Sequence, residues 1–453
     1  MLAIHDSCLM VAAQTARGVY PATPTYYWEL IDGRLSSKPT IDKLNICDGR
    51  ITGSSKQRIG YVETGGQPTI TAQPKGMGAA TAWLLGSDTP TGGADPYTHT
   101  QVPAASLDAF SYFTAWQYFA GEWAVFHDLQ IVGGSIEVSV ASKFMRIRPI
   151  IVGMAPMQYS EAPGALATQE ADNVHWLDAG GYHCLNGDWT NLDHSDVPTD
   201  TAGLITWLTA FKAAYNAHCA VASGVHHKAA DAVNVLTYET PCADLPACYV
   251  ALDEIETDLN AHMADTTVHY FADVTNTFAW ATPNSEATAL ACAAVVIGAV
   301  NSPGKYNSHL GAVANIQRIL FEMNWNATPI QGEGPTAYAV QRKPGDINIA
   351  VDQLQEDLRL YNFAVYGKPV PVAGDEVTTE IQNLGFTTKF IANTTGNERS
   401  IKIDVPQFYF DPGPLADLAA NPEGTEPIVT VGGEAAGTAP IATVTVVNDV
   451  ATY

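Results

Sequence analysis

The sequence predicts a mainly β protein of the α+β class, interrupted by a small bundle of repeated helices. Short segments of period-two alternation, punctuated by Gly and Pro, lie on both sides of the middle of the chain. A stretch at 193–313 loses that texture and repeats itself. A hydrophobic content of 46% in 453 residues leaves ample apolar surface for a packed core.

Three segments carry the strand signal. GSIEVSV (134–140) sets Ile136, Val138 and Val140 on one face and Glu137 and Ser139 on the other. RSIKIDV (399–405) does the same with Ile401, Ile403 and Val405, and TVTVV (443–447) is a third candidate. Alternation of this kind marks half-buried antiparallel strands. GMGAATAWLLG (76–86) reads as a helix ended by Gly86, and a second helix is expected from Asp352 to about Tyr366. The polar stretch within 32–58 is too long for an ordinary hairpin loop.

The middle stretch holds seven of the twelve histidines, with three basic residues against thirteen acidic ones. Its units begin at Pro198, Pro241 and Pro283 and end at His218, His262 and His309. Leu204, Leu208, Phe211, Tyr215 and His218 align with Cys248, Leu252, Ile255, Leu259 and His262. Steps of three and four place each set on one helix face, which predicts a bundle of three repeated helices. The expected division is therefore 1–192, an inserted helical domain at 193–313, and 314–453.

The linking segments ASGVHHKAADAVN (222–234) and DTTVHYFADVTN (265–276) also match. That alignment sets His226, His227 and Asp231 against His269, Tyr270 and Asp273. A zinc site needs three or four converging ligands, and here Tyr270 replaces His227 while Met263 replaces Cys219. The expected roles are helix-end packing for the histidines and loop capping for Asp and Asn. No metal, cofactor or catalytic residue is assigned on this reading. The rival is a metal-dependent enzyme using His226 and His227.

Charge and motifs exclude further classes. A net charge of −25 argues against gripping nucleic-acid phosphates. Seven scattered cysteines contain no CxxC pair, so neither a zinc ribbon nor a disulfide framework is signalled. MLAIHDSCLMVAAQTARG has no basic lead-in and argues against a signal peptide, and no apolar run approaches a membrane span. GGQPTITAQPKGMG (65–78) lacks phosphate-loop spacing and reads as loop punctuation. WLDAGGYHCLNGDW (176–189) reads as a turn between strands, its His183 and Cys184 giving no catalytic pair, with Trp176 and Trp189 as core or interface aromatics.

The order of features in the flanking two-thirds resembles the tail tube (major tail) proteins of long-tailed bacteriophages. The features are GVYPATPTYYWELIDGRL (18–35), the polar stretch 36–58, and GYVETGGQPTITAQPKGMGAATAWLLG (60–86). YTHT (97–100) and FHDLQIVGGSIEVSVASKF (126–144) follow. After the insert come QRILFEMNWNATPIQG (317–332), DLRLYNFAVYG (357–367), ERSIKIDVPQFYF (398–410), PIVTVGGEA (427–435) and TVTVVND (443–449). The resemblance implies a β-sandwich or barrel-like domain that joins its own copies in rings, typically of six, stacked into a conduit for the genome. Its implied partners are itself, a tape measure and a tail terminator, with DNA passing through unbound and no membrane. The implied place is the virion tail, assembled in the host cytoplasm.

On that resemblance, the 32–58 segment docks on another subunit, with Ile41, Leu44, Ile46 and Ile51 as candidate contacts. The insert carries 3 − 13 = −10 of the charge and leaves −15 for the rest. It cannot point into a conduit, so it is expected outside, which favours a non-contractile tail. The alternatives are a tail-terminus or baseplate component, or a host-binding adhesin carried by the insert.

Overall fold

A computed structural model describes residues 8–453 apart from 45–55, 107–109, 171–172, 177–181, 187–196, 223–226, 270–271, 273, 275–276, 301–315, 332–336, 344, 355–361, 363–365, 367–370, 372, 378–382, 394–398, 410, 413–427 and 437–439. The chain is mainly β. Its larger sheet follows the path Tyr26–Trp28, Cys8–Ala13, Phe113–Phe119, Glu122–Ser139, Ile316–Asn324, Asp346–Leu354, Ile428–Glu434 and Asp411–Pro412. The second sheet runs Tyr182–Asn186, Asn383–Asn393, Arg399–Tyr409, Thr443–Asn448, Tyr97–Gln101 and Thr89–Thr91. Both sheets are open, and every strand pair in them is antiparallel.

Alternation in the sequence becomes burial as expected at Ile401, Ile403 and Val405, and at Val444 and Val446, all at most 2% exposed. Ile136 and Val138 are buried too, but Val140 is not. The strand Glu122–Ser139 ends one residue earlier, and Val140 sits in the following turn, 44% exposed. That strand is 18 residues long. Its first half pairs with Phe113–Phe119 and Gln158–Ser160, its second half with Arg146–Gly153 and Ile316–Asn324. A register shift between Phe126 and Leu129 marks the changeover, and Asp128 there has φ +52°. A bulge of this kind bends a strand and lets it serve two sets of neighbours.

Helix α1, Pro74–Leu85, contacts strands of both sheets. All its residues but Lys75 are buried, as expected of a helix that is apolar on nearly every side. Pro74 stands in the first turn, and Gly86 ends the helix at φ +84° with its N–H donating to Ala82 O. Side chains from both sheets reach the α1 backbone: Trp28 Nε1 donates to Gly76 O, Trp325 Nε1 to Leu84 O, and Asn448 Nδ2 to Pro74 O. One hydrophobic cluster therefore contains residues of both sheets and of α1.

Three further helices, α2 (Thr201–Cys219), α3 (Leu245–Ala264) and α4 (Glu286–Val300), share a separate hydrophobic cluster. The aligned stripes on α2 and α3 are all fully buried, from Leu204 to His218 and from Cys248 to His262. Asp200 and Asp244 cap the first two, accepting from Gly203 N and Ala247 N at 2.7 and 3.0 Å. Glu286 of α4 accepts from Thr201 N and its hydroxyl, tying the third helix to the start of the first.

Three expectations are corrected. Leu35–Leu44 pairs with Lys56–Gly66, so much of the expected 32–58 loop is a long β-hairpin. Asp352 lies in the strand Asp346–Leu354, where a helix was expected to begin; only Asn362 and Tyr366 are helical among the described residues that follow. Within 176–189, Tyr182–Asn186 is a strand paired with Asn383–Asn393, not a turn.

Candidate functional site

Two arrangements stand apart from ordinary core packing. The first is the hairpin Leu35–Leu44/Lys56–Gly66. Its root is held by the larger sheet: Thr64, Gly65 and Gly66 pair with Gly153, Val152 and Ile151. Leu35 N donates to Gln117 Oε1, and Met157 N donates to Ser37 Oγ. The root admits no side chain at Gly65 or Gly66, where a Cβ would stand 2.2 Å from Ile151 O and 2.3 Å from Arg34 O. Beyond Glu63 the two strands pair only with each other among the described residues.

Pro39 supplies no N–H, and the ladder shifts register between Pro39 and Ile41. Thr40 Oγ1 spans the gap, donating to Tyr61 O and accepting from Tyr61 N at 2.9 Å each. Ile41 is 60% exposed on this arm. Leu44 ends the strand, while Ile46 and Ile51 lie outside the described residues. A groove of about 530 Å³ runs along the arm's foot, lined by Lys38, Tyr61, Glu63 and Ile151 among others.

The second arrangement is a histidine cluster between α2 and α3. His218 and His262 sit in the last turns of the two helices, with their Nε2 atoms 3.1 Å apart. The following loops bring in His227 and His269, which face each other as an isolated antiparallel bridge. Their ring centroids are 4.8 Å apart, and His269 lies 4.5 Å from His262. All four side chains are at most 1% exposed. Ligand atoms of His218, His227 and His262 lie within 4.8 Å of one another.

The surrounding groups fix the rings. His262 Nδ1 donates to Asp231 Oδ2 at 2.8 Å, His227 Nδ1 to Val221 O at 2.9 Å, and His269 Nδ1 to Asp265 O at 3.1 Å. Carbonyl and carboxylate oxygens only accept, so each of these rings carries a proton on Nδ1. Burial pushes the His227 imidazole down to about 4. Burial and the neighbouring His262 and His227 rings push His269 down to about 3. Burial works against the Asp231 carboxylate, but hydrogen bonds from His262, Asn234 and Val233 outweigh it and hold the group below the usual carboxylate range. The buried Cys219 thiol is pushed up to about 12, chiefly by burial, and stays protonated.

Asp231 also caps its loop as expected, accepting from Val233 N and from Asn234 N and Nδ2. The Asn of each Asn-Ala-His end has a role the sequence did not show. Asn216 exchanges two hydrogen bonds with the Leu236 backbone, and Asn260 does the same with Phe278.

The expected change of ligand between the copies is corrected by the pairing of the two loops. His227 pairs across the two loops with His269, so the copies meet with the same residue type at this point. His218 is followed by His227 after nine residues (227 − 218), and His262 by His269 after seven (269 − 262). The first loop is thus two residues longer, and aligning the two Val-His pairs shifts the register by one. His226, Tyr270, Asp273 and His309 lie outside the described residues, as does Trp189, while Trp176 packs half-buried against the main core. Among the described residues no helix is long and apolar enough to cross a membrane. No protein-family model and no curated protein matches this chain.

Proposed function

We propose that the chain is the repeating subunit of a phage tail tube, forming rings that stack into a hollow conduit for the genome. The observation that carries this reading is the two-stranded arm beyond Glu63. An isolated two-stranded hairpin is marginal in water, and this one carries an exposed Ile41 and no sheet neighbour among the described residues. Such an arm gains its partners from another copy, because unpaired ladder groups and exposed apolar side chains find both in a neighbouring subunit. The open sheets offer further edges for ring closure, and Phe119 (47% exposed) and Tyr159 (75% exposed) flank a groove near the arm's root. The acidic excess suits a lumen along which DNA slides without sticking. On this reading the α2–α4 unit faces outward, and the tail is non-contractile.

Negative-stain microscopy of the concentrated full-length protein tests it. Rings or hollow tubes are expected, and they persist in chelator. Replacing residues 40–61 by an Asn-Gly turn leaves a folded protein that forms neither. A monodisperse monomer of the native chain at every concentration would overturn the reading.

A further inference from the structure

We propose that the helical unit holds one structural transition-metal ion of the zinc class, bound by Nε2 of His218, His227 and His262, with Nε2 of His269 completing a tetrahedral set. The inference does not rest on the tube reading.

Four features carry it. The first is convergence. A tetrahedral zinc–imidazole site sets its nitrogens ~3.3 Å apart, from Zn–N bonds of about 2.0–2.1 Å. His218 and His262 already hold their Nε2 atoms 3.1 Å apart, and the nearest-atom set with His227 spans no more than 4.8 Å. The His269 ring lies beside both His227 and His262.

The second is orientation. Metal-bound histidines commonly donate the other ring N–H to a carboxylate or a backbone carbonyl, which fixes the tautomer. His262 does so to Asp231, His227 to Val221 and His269 to Asp265. A relay from His218 through His262 to Asp231 would explain those three side chains as plain hydrogen bonding. It does not call for two further imidazoles with lone pairs on Nε2 in the same few ångströms.

The third is chemistry. An all-imidazole donor set suits zinc, copper, nickel or cobalt, whereas calcium and magnesium take oxygen ligands. A closed tetrahedral geometry selects zinc among these. Cys219 Sγ lies 4.0 Å from His262 Nδ1, the nitrogen already given to Asp231, and so stands on the edge of that ring away from the Nε2 set.

The fourth is placement. Each repeat contributes one histidine from its helix end and one from its loop, so a single ion staples the two copies together. All four ligands are buried, and a catalytic zinc keeps a position open to substrate. The ion is therefore a staple and not a reaction centre.

The test begins with the native full-length protein, purified without a histidine tag and analysed for metal by mass spectrometry. About one zinc per chain is expected. Stripping the ion with a strong chelator should lower the melting temperature of the helical unit by about 5–10 °C, and added zinc should restore it. Cobalt substituted for zinc should give the visible d–d bands of a tetrahedral site. His227→Ala and His269→Ala should each lose the metal, while His175→Ala, outside the cluster, retains it. If the native chain carries no metal and the folded protein takes up none from added zinc or cobalt, the proposal falls. Loss of the metal in His227→Ala but full retention in His269→Ala would remove His269 from the set and overturn the four-histidine assignment.

Discussion

His218 Nε2 lies 3.1 Å from His262 Nε2, two imidazoles carried to one point by the last turns of two repeated helices. Asp231 supports that contact from the other side of His262, and it reaches the site from the loop of the first repeat. One carboxylate thus bonds its own loop and the neighbouring helix together.

Replacing Asp231 by Ala should therefore destabilise the helical unit more than loss of a surface cap. A cap costs about 1 kcal/mol, and a buried hydrogen bond to a charged group contributes about 1.5–3 kcal/mol. The expected loss is about 2–4 kcal/mol, read from urea unfolding followed by circular dichroism at the helix band. A loss below about 1 kcal/mol would assign Asp231 to loop capping alone.

On the proposed tube reading, Ile41 should separate folding from assembly. It is 60% exposed on the arm, so Ile41→Asp should leave monomer stability within about 0.5 kcal/mol. The same change buries a carboxylate wherever Ile41 docks, and the concentration needed for assembly should rise at least about tenfold, or ~1.4 kcal/mol per contact. Sedimentation against concentration reads both. Unchanged assembly would exclude Ile41 from the interface.

Gly78 inverts an ordinary rule. Gly→Ala inside a helix normally stabilises by about 1 kcal/mol. Here the new Cβ would fall 1.7 Å from the hydroxyl of Tyr453, whose ring packs beside His99 and Tyr26. Overpacking of this kind costs about 1–3 kcal/mol, so Gly78→Ala should be destabilising. Thermal melts should show the penalty shrinking when Tyr453→Leu is added.

Tyr26 sets an alkaline limit. Burial, and secondarily the Asp88 charge, push its phenol up to about 12 from 10.0. Its contribution is complete below the unfolded-state value and is lost as pH rises toward and through the folded one. Between pH 10 and 12 the native chain should lose about 2–3 kcal/mol more than Tyr26→Phe, at ~1.4 kcal/mol per pH unit. Equal losses in the two proteins would show that Tyr26 ionises freely while folded.

Legibility in the sequence followed burial. The stripes on α2 and α3, the strand faces around Ile401 and Val444, and the stop at Gly86 were readable because each element buries one side or all of itself. The arm was not. SSKPTIDKL forms most of a strand whose side chains from Ser36 to Ile41 are exposed or half-buried, and a polar run of that kind reads as loop. The expected helix from Asp352 failed where the buried strand of Ile347, Ile349 and Val351 simply continues to Leu354. At the histidines, residue types were visible but their pairing was not. A two-residue difference in loop length moves His227 opposite His269, and only the bridge between the loops reveals it. The matching Asn-Ala-His ends were the readable part of that signal.

The strand Glu122–Ser139 spans 18 residues, roughly 60 Å at the usual rise of a strand, shortened somewhat by its bulge. It is clasped on both sides along both of its halves. A pull along its axis must shear many ladder bonds at once instead of peeling them one by one. Under tension this strand is the tie-rod of the chain, and its bulge at His127 and Asp128 is where extension would first be taken up.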